Sequence, residues 1–313
     1  MSVLFTFPGQ GSQRPDMLHT LPAANVVRQT LQEATDVLAQ PLSELDSPQA
    51  LRSTCAVQLA LLIAGVASAR LLIDAGCMPD MVLGLSIGAW PAAVAAGCLS
   101  FEKALPLVRL RGELMEQAYP SGYGTYAVNG LALQEVEALV ARETKPEAPV
   151  YVANINAPQQ IVVAGHQATL ERIAHVAVSQ YHARKVVPVA ISVPSHCVLL
   201  DAQAAQMLDA LQGVPLQRPW ATYVSARTAR AIFSPDRIAQ DLALNMAHQV
   251  HWHDAAVHTC ERGARLAVEM LPGSVLSSLC RPVFAEQGGV AVALSEHRVE
   301  DLVLLARAHS GRN

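Results

Sequence analysis

Four short stretches carry residue types that could do chemistry together. In Gly84-Leu85-Ser86-Ile87-Gly88 a serine stands between two glycines, after the apolar Met81-Val82-Leu83 and before an alanine-rich helical stretch ending around Gly97. That is the pattern of a nucleophile elbow, in which small residues let strand and helix close around a turn sharp enough to lift the serine from the sheet. The Ser86 hydroxyl then stands at a helix N-terminus, where the unpaired N–H of Ile87 would face the negative oxygen formed when a carbonyl is attacked. Val193-Pro194-Ser195-His196-Cys197 runs into an apolar-periodic helix from Val198 to about Leu211. Ser195 is the predicted N-cap, which sets His196 in the first turn. There the positive end of the helix dipole would lower the imidazole pKa and keep it neutral, as a general base must be. A histidine in this place is otherwise a capping or surface residue.

The third stretch is the predicted helix from about Phe101 to Ala118. Three, four and seven residues from Arg111 lie Ala104, Leu107, Val108, Leu114, Met115 and Ala118, all apolar, while Arg109, Glu113 and Glu116 share the opposite, solvated face. A guanidinium on the buried stripe needs an anion to offset its desolvation: an internal salt bridge, or a substrate carboxylate gripped through two parallel hydrogen bonds. The fourth is Pro8-Gly9-Gln10-Gly11-Ser12-Gln13, a loop after the apolar Val3–Phe7 where backbone could approach a ligand. It lacks the G-K-[ST] of a P-loop and the spacing of a dinucleotide fold, so neither ATP nor NAD is expected. The run His248-Gln249-Val250-His251-Trp252-His253 invites a metal, but no suitably spaced cysteine or second cluster completes a tetrahedral site, and none is expected.

The elements that must position these residues alternate strand and helix. Helical patterns near 25–40 and 53–75 precede the elbow. From Gly124 to about Val193 the order is β-α-β-β-α-β: strands near Thr125–Val128, Val150–Asn154, Gln160–Ala164 and Lys185–Ser192, helices near Leu133–Ala141 and Gln167–Ser179. That order is ferredoxin-like. The expected fold is therefore α/β, a large hydrolase-like domain with a parallel sheet (1–123 and 194–313) holding an inserted ferredoxin-like subdomain (124–193). Beyond it come strand-like Ala221–Val224, a helix near Ile238–Met246, strand-like Leu266–Met270, a Leu271–Ser274 turn into a helix, and a terminal helix. The longest apolar run, Cys55 to Ala69, contains Gln58, falls short of a bilayer's width and reads as a buried core helix.

The chain of 313 residues is 51% hydrophobic with net charge −4. It can bury a sizeable core, and the acidic balance removes the usual electrostatic reason to expect nucleic acid or an anionic membrane. Six cysteines lie without C-x-x-C spacing and no signal peptide is read, so a cytoplasmic setting is expected.

Taken together, Gly9-Gln10-Gly11-Ser12-Gln13, Gly84-Leu85-Ser86-Ile87-Gly88, Arg111-Gly112 and Val193-Pro194-Ser195-His196 resemble the malonyl-CoA:acyl-carrier-protein transacylases, over nearly the whole chain. The resemblance implies that Ser86 is acylated with His196 as its base, that Gln10 and the Ile87 N–H form the oxyanion hole, and that Arg111 holds the free malonyl carboxylate. Met115, Asn156 of Asn154-x-Asn156, and His251 are taken with the substrate site; the residue aligned with His251 orients the family's catalytic histidine through its carbonyl. It also implies malonyl-CoA and an acyl carrier protein as partners, with no cofactor beyond the coenzyme A thioester and the carrier's pantetheine-type arm. Most of the family has His and Glu where this chain has Leu85 and Ala89. The Gly-Leu-Ser-Ile-Gly-Ala variant looks most like the epsilon subunit of biotin-independent malonate decarboxylase, with malonyl transfer in fatty-acid or polyketide synthesis as the alternative. A serine thioesterase would need a carboxylate for its histidine. Glu135, Glu137, Glu143 and Glu171 stand in the right chain order but in the inserted subdomain. A non-catalytic binding subunit is the remaining rival.

Overall fold

The structure, a computed structural model, describes residues 2–119 and 121–310. In chain order its first part comprises β1 (Ser2–Phe7), α1 (Asn25–Leu38), the short α2 (Ser43–Asp46), α3 (Thr54–Asp74), β2 (Met81–Gly84), α4 (Ala89–Ala95) and α5 (Phe101–Ala118). A second unit follows: β3 (Tyr123–Asn129), α6 (Leu133–Glu143), β4 (Val150–Ala157), β5 (Gln160–His166), α7 (Gln167–Ser179) and β6 (Lys185–Pro188). The chain then returns through α8 (Asp201–Leu211), β7 (Thr222–Ser225), β8 (Arg230–Ile232), α9 (Pro235–Leu244), α10 (Trp252–Glu261), β9 (Ala264–Glu269), α11 (Val275–Glu286), β10 (Val290–Ala293) and α12 (Val299–Ser310).

Two sheets result. The larger has the order β10-β9-β1-β2-β7-β8, parallel except for the antiparallel edge strand β8. Its central strands are buried on both faces, as their near-continuous Val, Leu and Phe runs require of a parallel sheet covered by helices. The smaller sheet has the order β4-β5-β3-β6, all neighbours antiparallel, with a separate apolar core beneath α6 and α7. Strand and helix therefore succeed one another in residues 123–188 as the pattern predicts. The last strand ends at Pro188, four residues short of the expected Ser192: Val189 still donates to Thr125 O, but Ile191 N–H then turns back to Val189 O.

The helix carrying Gln58 runs 21 residues, longer than the apolar run alone indicated and long enough to cross a membrane by length; 89% of that apolar window is buried inside the fold, between α1, α4 and α5. It is a core helix, apolar all round because every face meets protein. The α5 boundaries match the sequence reading, with Ser100 Oγ accepting from Lys103 N as the N-cap.

Candidate active site

The elbow forms because two positions carry no Cβ. A Cβ on Gly84 would lie 2.1 Å from the Gly88 carbonyl carbon, and one on Gly88 would lie 2.1 Å from the Phe7 carbonyl oxygen. Strand β2, the turn and the end of β1 thus approach more closely than any larger residue permits. Between them Ser86 is held at φ +54°, a left-handed conformation uncommon for a residue with a side chain. Such strain persists only where surrounding packing over-determines it. A single 3-10 turn, Ser86–Gly88, then leads into α4, which leaves the Ile87 N–H in the first helical turn beside the serine.

His196 meets this serine from the other side of the fold: its Nε2 lies 2.8 Å from Ser86 Oγ. Its Nδ1 faces two backbone carbonyls, Asn245 O at 2.7 Å and His248 O at 3.2 Å. Carbonyls only accept, so the proton sits on Nδ1 and Nε2 is the acceptor that can take the serine proton. Among the described residues no carboxylate is hydrogen-bonded to His196. The expected placement at a helix start is corrected: His196 has φ +65°, precedes the Cys197 cap of a 3-10 turn (Val198–Leu200), and α8 begins only at Asp201. The imidazole pKa is nonetheless lowered, to about 4, first by burial and then by the Arg111 cation, against the opposing pull of the two carbonyls. Burial does what the helix dipole was expected to do. The role foreseen for the His251 carbonyl is likewise corrected, since it belongs to Asn245 and His248. His251 instead caps α10 and donates its N–H to Ala226 O at 2.7 Å.

Arg111 is wholly buried, on the predicted stripe of α5. One terminal nitrogen donates to Gln58 Oε1 at 2.6 Å; the other reaches Asn245 Oδ1 at 3.1 Å and Ser86 Oγ at 3.5 Å. Among the described residues every partner is neutral, and Nε has none. Burial without an anion draws the guanidinium pKa down from 12.5 to about 9. The opposite face of α5 is less solvated than expected. Arg109 donates to Leu38 O and Gln40 Oε1, and Glu116 accepts from Cys55 N, because α1 and α3 pack over that side.

Two residues that sequence reasoning passed over tie the site together. Asn245 touches three members: its carbonyl holds His196, its Oδ1 accepts from Arg111 and its Nδ2 donates to Ser86 O at 3.2 Å. Gln58 links the other pair, accepting from Arg111 while its Nε2 donates to Gln10 Oε1 at 3.2 Å. Gln10 Nε2 is thereby left to serve as a donor. Gln58 had a visible signal, one amide in the second turn of a 21-residue apolar helix; Asn245 opens a short 3-10 turn and had none.

A cavity of about 290 Å³ opens from Ser86 and His196 between the two sheets. Gln10, Ser12, Val275 and Leu276 line it, together with Asn154, Asn156 and Gln160 of the small sheet. Asn154 and Asn156 keep buried side-chain oxygens that have no hydrogen-bond partner among the described residues. Of the residues expected at the substrate, Asn156 lines this cavity and Met115, His251 and Arg111 do not: Met115 lies behind Gln58, whose Nε2 is 3.3 Å from its sulfur, His251 starts α10, and the wholly buried Arg111 stands beside Ser86, 3.5 Å from its hydroxyl.

The model of the acyl transferase domain matches residues 4–303. The chain belongs to the acyl transferase family. Among the family's members, the malonyl CoA-acyl carrier protein transacylase of Haemophilus influenzae is 32% identical over 91% of this chain and 93% of its own. The acyl-carrier-protein S-malonyltransferase of Burkholderia pseudomallei superposes with a TM-score of 0.88 at 33% identity, covering 97% of this chain and all of that one. A malonyl-transacylase solved in complex with a type II polyketide acyl-carrier protein reaches 0.89 at 31% identity, covering 98% and 100%. The mixed α/β fold with its parallel sheet is the fold of these acyl transferases, and this acyl transferase is an enzyme.

Proposed function

We propose that the chain moves a malonyl group from malonyl-CoA through an ester on Ser86 to the pantetheine-type thiol of an acyl carrier protein. The observation that carries this reading is the Arg111 guanidinium, buried among neutral partners 3.5 Å from the Ser86 hydroxyl. A carboxylate one methylene beyond the reacting carbonyl supplies the missing anion; an uncharged acyl group leaves the cation desolvated and unpaired. His196 Nε2 takes the Ser86 proton as Oγ attacks the thioester carbonyl, and Ile87 N–H with Gln10 Nε2 receives the oxyanion. Coenzyme A leaves with the proton from His196. The carrier thiol gives its proton to His196, its sulfur displaces Oγ, and Ser86 is restored. No other cofactor is called for.

The relatives support fatty-acid or polyketide synthesis as the setting. The second reading, transfer within malonate decarboxylation, rests on Leu85 and Ala89; Leu85 makes the wall beside Ser86 apolar where most of the family has histidine. We also read the scaffold as a hydrolase-like domain with a ferredoxin-like insertion, on the strength of the elbow and of the β4-β5-β3-β6 order. Labelled malonyl-CoA supplied with a phosphopantetheinylated carrier tests the proposal. Label on the carrier supports it; release only as free malonate makes the chain a thioesterase.

A further inference from the structure

The turn that closes α9 binds three groups of the site at once. Asn245 opens it, and the turn grips His196 through its backbone: Asn245 O accepts from the ring and Met246 O accepts from the His196 N–H, both at 2.7 Å. The Asn245 side chain, 4% exposed, spans the other two groups. Its Nδ2 donates to Ser86 O at 3.2 Å, and its Oδ1 accepts from Arg111 at 3.1 Å. The Ser86 carbonyl only accepts and a guanidinium only donates, so the amide can face them in one orientation. Gln58 Oε1, from α3, accepts from the other terminal nitrogen of Arg111 at 2.6 Å.

Both side-chain acceptors are amides at positions where a carboxylate has the same shape. A buried arginine ordinarily has an acid for a partner. The same helix supplies one where it is wanted: Asp241, buried four residues before Asn245, accepts from Arg227 Nε at 3.0 Å and from Tyr223 and Ser225. Acids on the helices around Arg111 are exposed or engaged elsewhere. Glu33 pairs with Arg70 at 2.6 Å, Glu116 accepts from Cys55 N, and Asp74, Glu113, Asp201 and Asp209 are exposed. The titratable group that faces Arg111 is His196, whose pKa the guanidinium helps to lower. Two neutral oxygens thus orient the cation without neutralising it.

We propose that Asn245 is a specificity-determining positioning residue: its amide, with that of Gln58, fixes the Arg111 guanidinium beside Ser86 while keeping the charge free for a carboxylate on the acyl group. This rests on the malonyl half of the function proposed above. The neutrality of the amide is the essential property. An aspartate at 245 would occupy the same space and pair with Arg111 in the free enzyme, so that an incoming carboxylate has to compete with an anion already in place.

The test compares Asn245→Asp with Asn245→Ala and wild type, reading kcat/KM for acyl-serine formation from malonyl-CoA and from acetyl-CoA on either side of pH 9. Both variants lose the donor to Ser86 O; only the aspartate adds a charge. The alanine variant slows but keeps its preference for malonyl, whereas the malonyl-to-acetyl ratio of the aspartate variant falls about tenfold or more below it. The alkaline fall in malonyl kcat/KM also moves upward in the aspartate variant alone, because an adjacent carboxylate favours the charged guanidinium. Equal ratios in the two variants overturn the proposal and leave Asn245 a support for the turn. Gln58→Glu brings the same charge from α3 and carries the test if Asn245→Asp does not fold; its ratio falls likewise, and an unchanged ratio overturns the proposal. Malonyl-serine forming in wild type while these ratios hold overturns this proposal alone. Failure of wild type to form malonyl-serine overturns the functional reading and this proposal with it.

Discussion

If Arg111 reads the acyl group as proposed, replacing it by methionine abolishes the preference for malonyl over acetyl. The methionine fills much of the volume on the buried stripe of α5 but offers a carboxylate nothing. Truncating one partner of a buried, hydrogen-bonded charge pair costs about 2–5 kcal/mol. At 1.36 kcal/mol per tenfold, kcat/KM for malonyl-CoA falls roughly 30- to 5,000-fold. Acetyl-CoA brings no carboxylate and leaves the wild-type cation unpaired, so its kcat/KM holds or rises. Folding survives because two effects oppose: Gln58 Oε1 and Asn245 Oδ1 lose their donor at about 1–3 kcal/mol each, while a buried, unneutralised charge disappears. Steady-state rates with both thioesters, on protein of native circular dichroism, decide the matter. Equal loss with malonyl and acetyl would mean that Arg111 supports the architecture and does not read the acyl group.

Further expectations concern pH and the neighbouring groups. Because the free-enzyme guanidinium has a pKa of about 9, malonyl kcat/KM falls as pH rises through 9 while acetyl kcat/KM does not. His196, lowered to about 4, keeps acylation flat from neutrality down to near pH 5, where an ordinary histidine of pKa 6.5 would already be mostly protonated. The same shift ties stability to pH: between 6.5 and 4 the unfolded chain binds the proton that the folded site refuses, so His196's contribution is complete above 6.5 and is lost as pH falls toward 4. Denaturant titrations of wild type and His196→Ala across that window show the difference. Gln58→Leu frees the Gln10 side chain and one Arg111 nitrogen together, lowering kcat for malonyl by up to the roughly 100- to 1,000-fold that loss of one oxyanion donor costs, with a smaller loss for acetyl. Gly88→Ala drives a methyl into the Phe7 carbonyl and costs about 3 kcal/mol, seen as a fall in Tm or as insoluble protein.

The division between what could be read from the chain and what could not follows the range of the interactions. Arg111 was legible because a 3.6-residue period places six apolar neighbours on its side of the helix, and a cation there has to be used. The elbow was legible because Gly84 and Gly88 sit where a Cβ has no room. The β-α-β-β-α-β order was visible from periodicities of two and 3.6, whereas the end of β6 at Pro188 depends on where the chain turns to meet the other sheet. His196 was found and misplaced: a Pro-Ser-His start looks like a helix cap, but a left-handed backbone at +65° turns the ring toward Ser86 before the helix begins. The carbonyls that hold its ring escaped notice because Asn245 lies 49 residues away in a short 3-10 turn, and no local pattern marks a carbonyl. The solvated face assigned to Arg109 and Glu116 failed for a related reason, since periodicity shows which face of α5 is most buried but not that α1 and α3 cover the remainder.

The most direct measurement is the mass of the intact protein after brief exposure to malonyl-CoA, with peptide mapping and Ser86→Ala alongside. The account predicts one malonyl adduct per chain, located on Ser86, absent from the variant, stable to isolation and discharged by a pantetheine thiol. An unmodified wild type, or an adduct at any other residue, would contradict it.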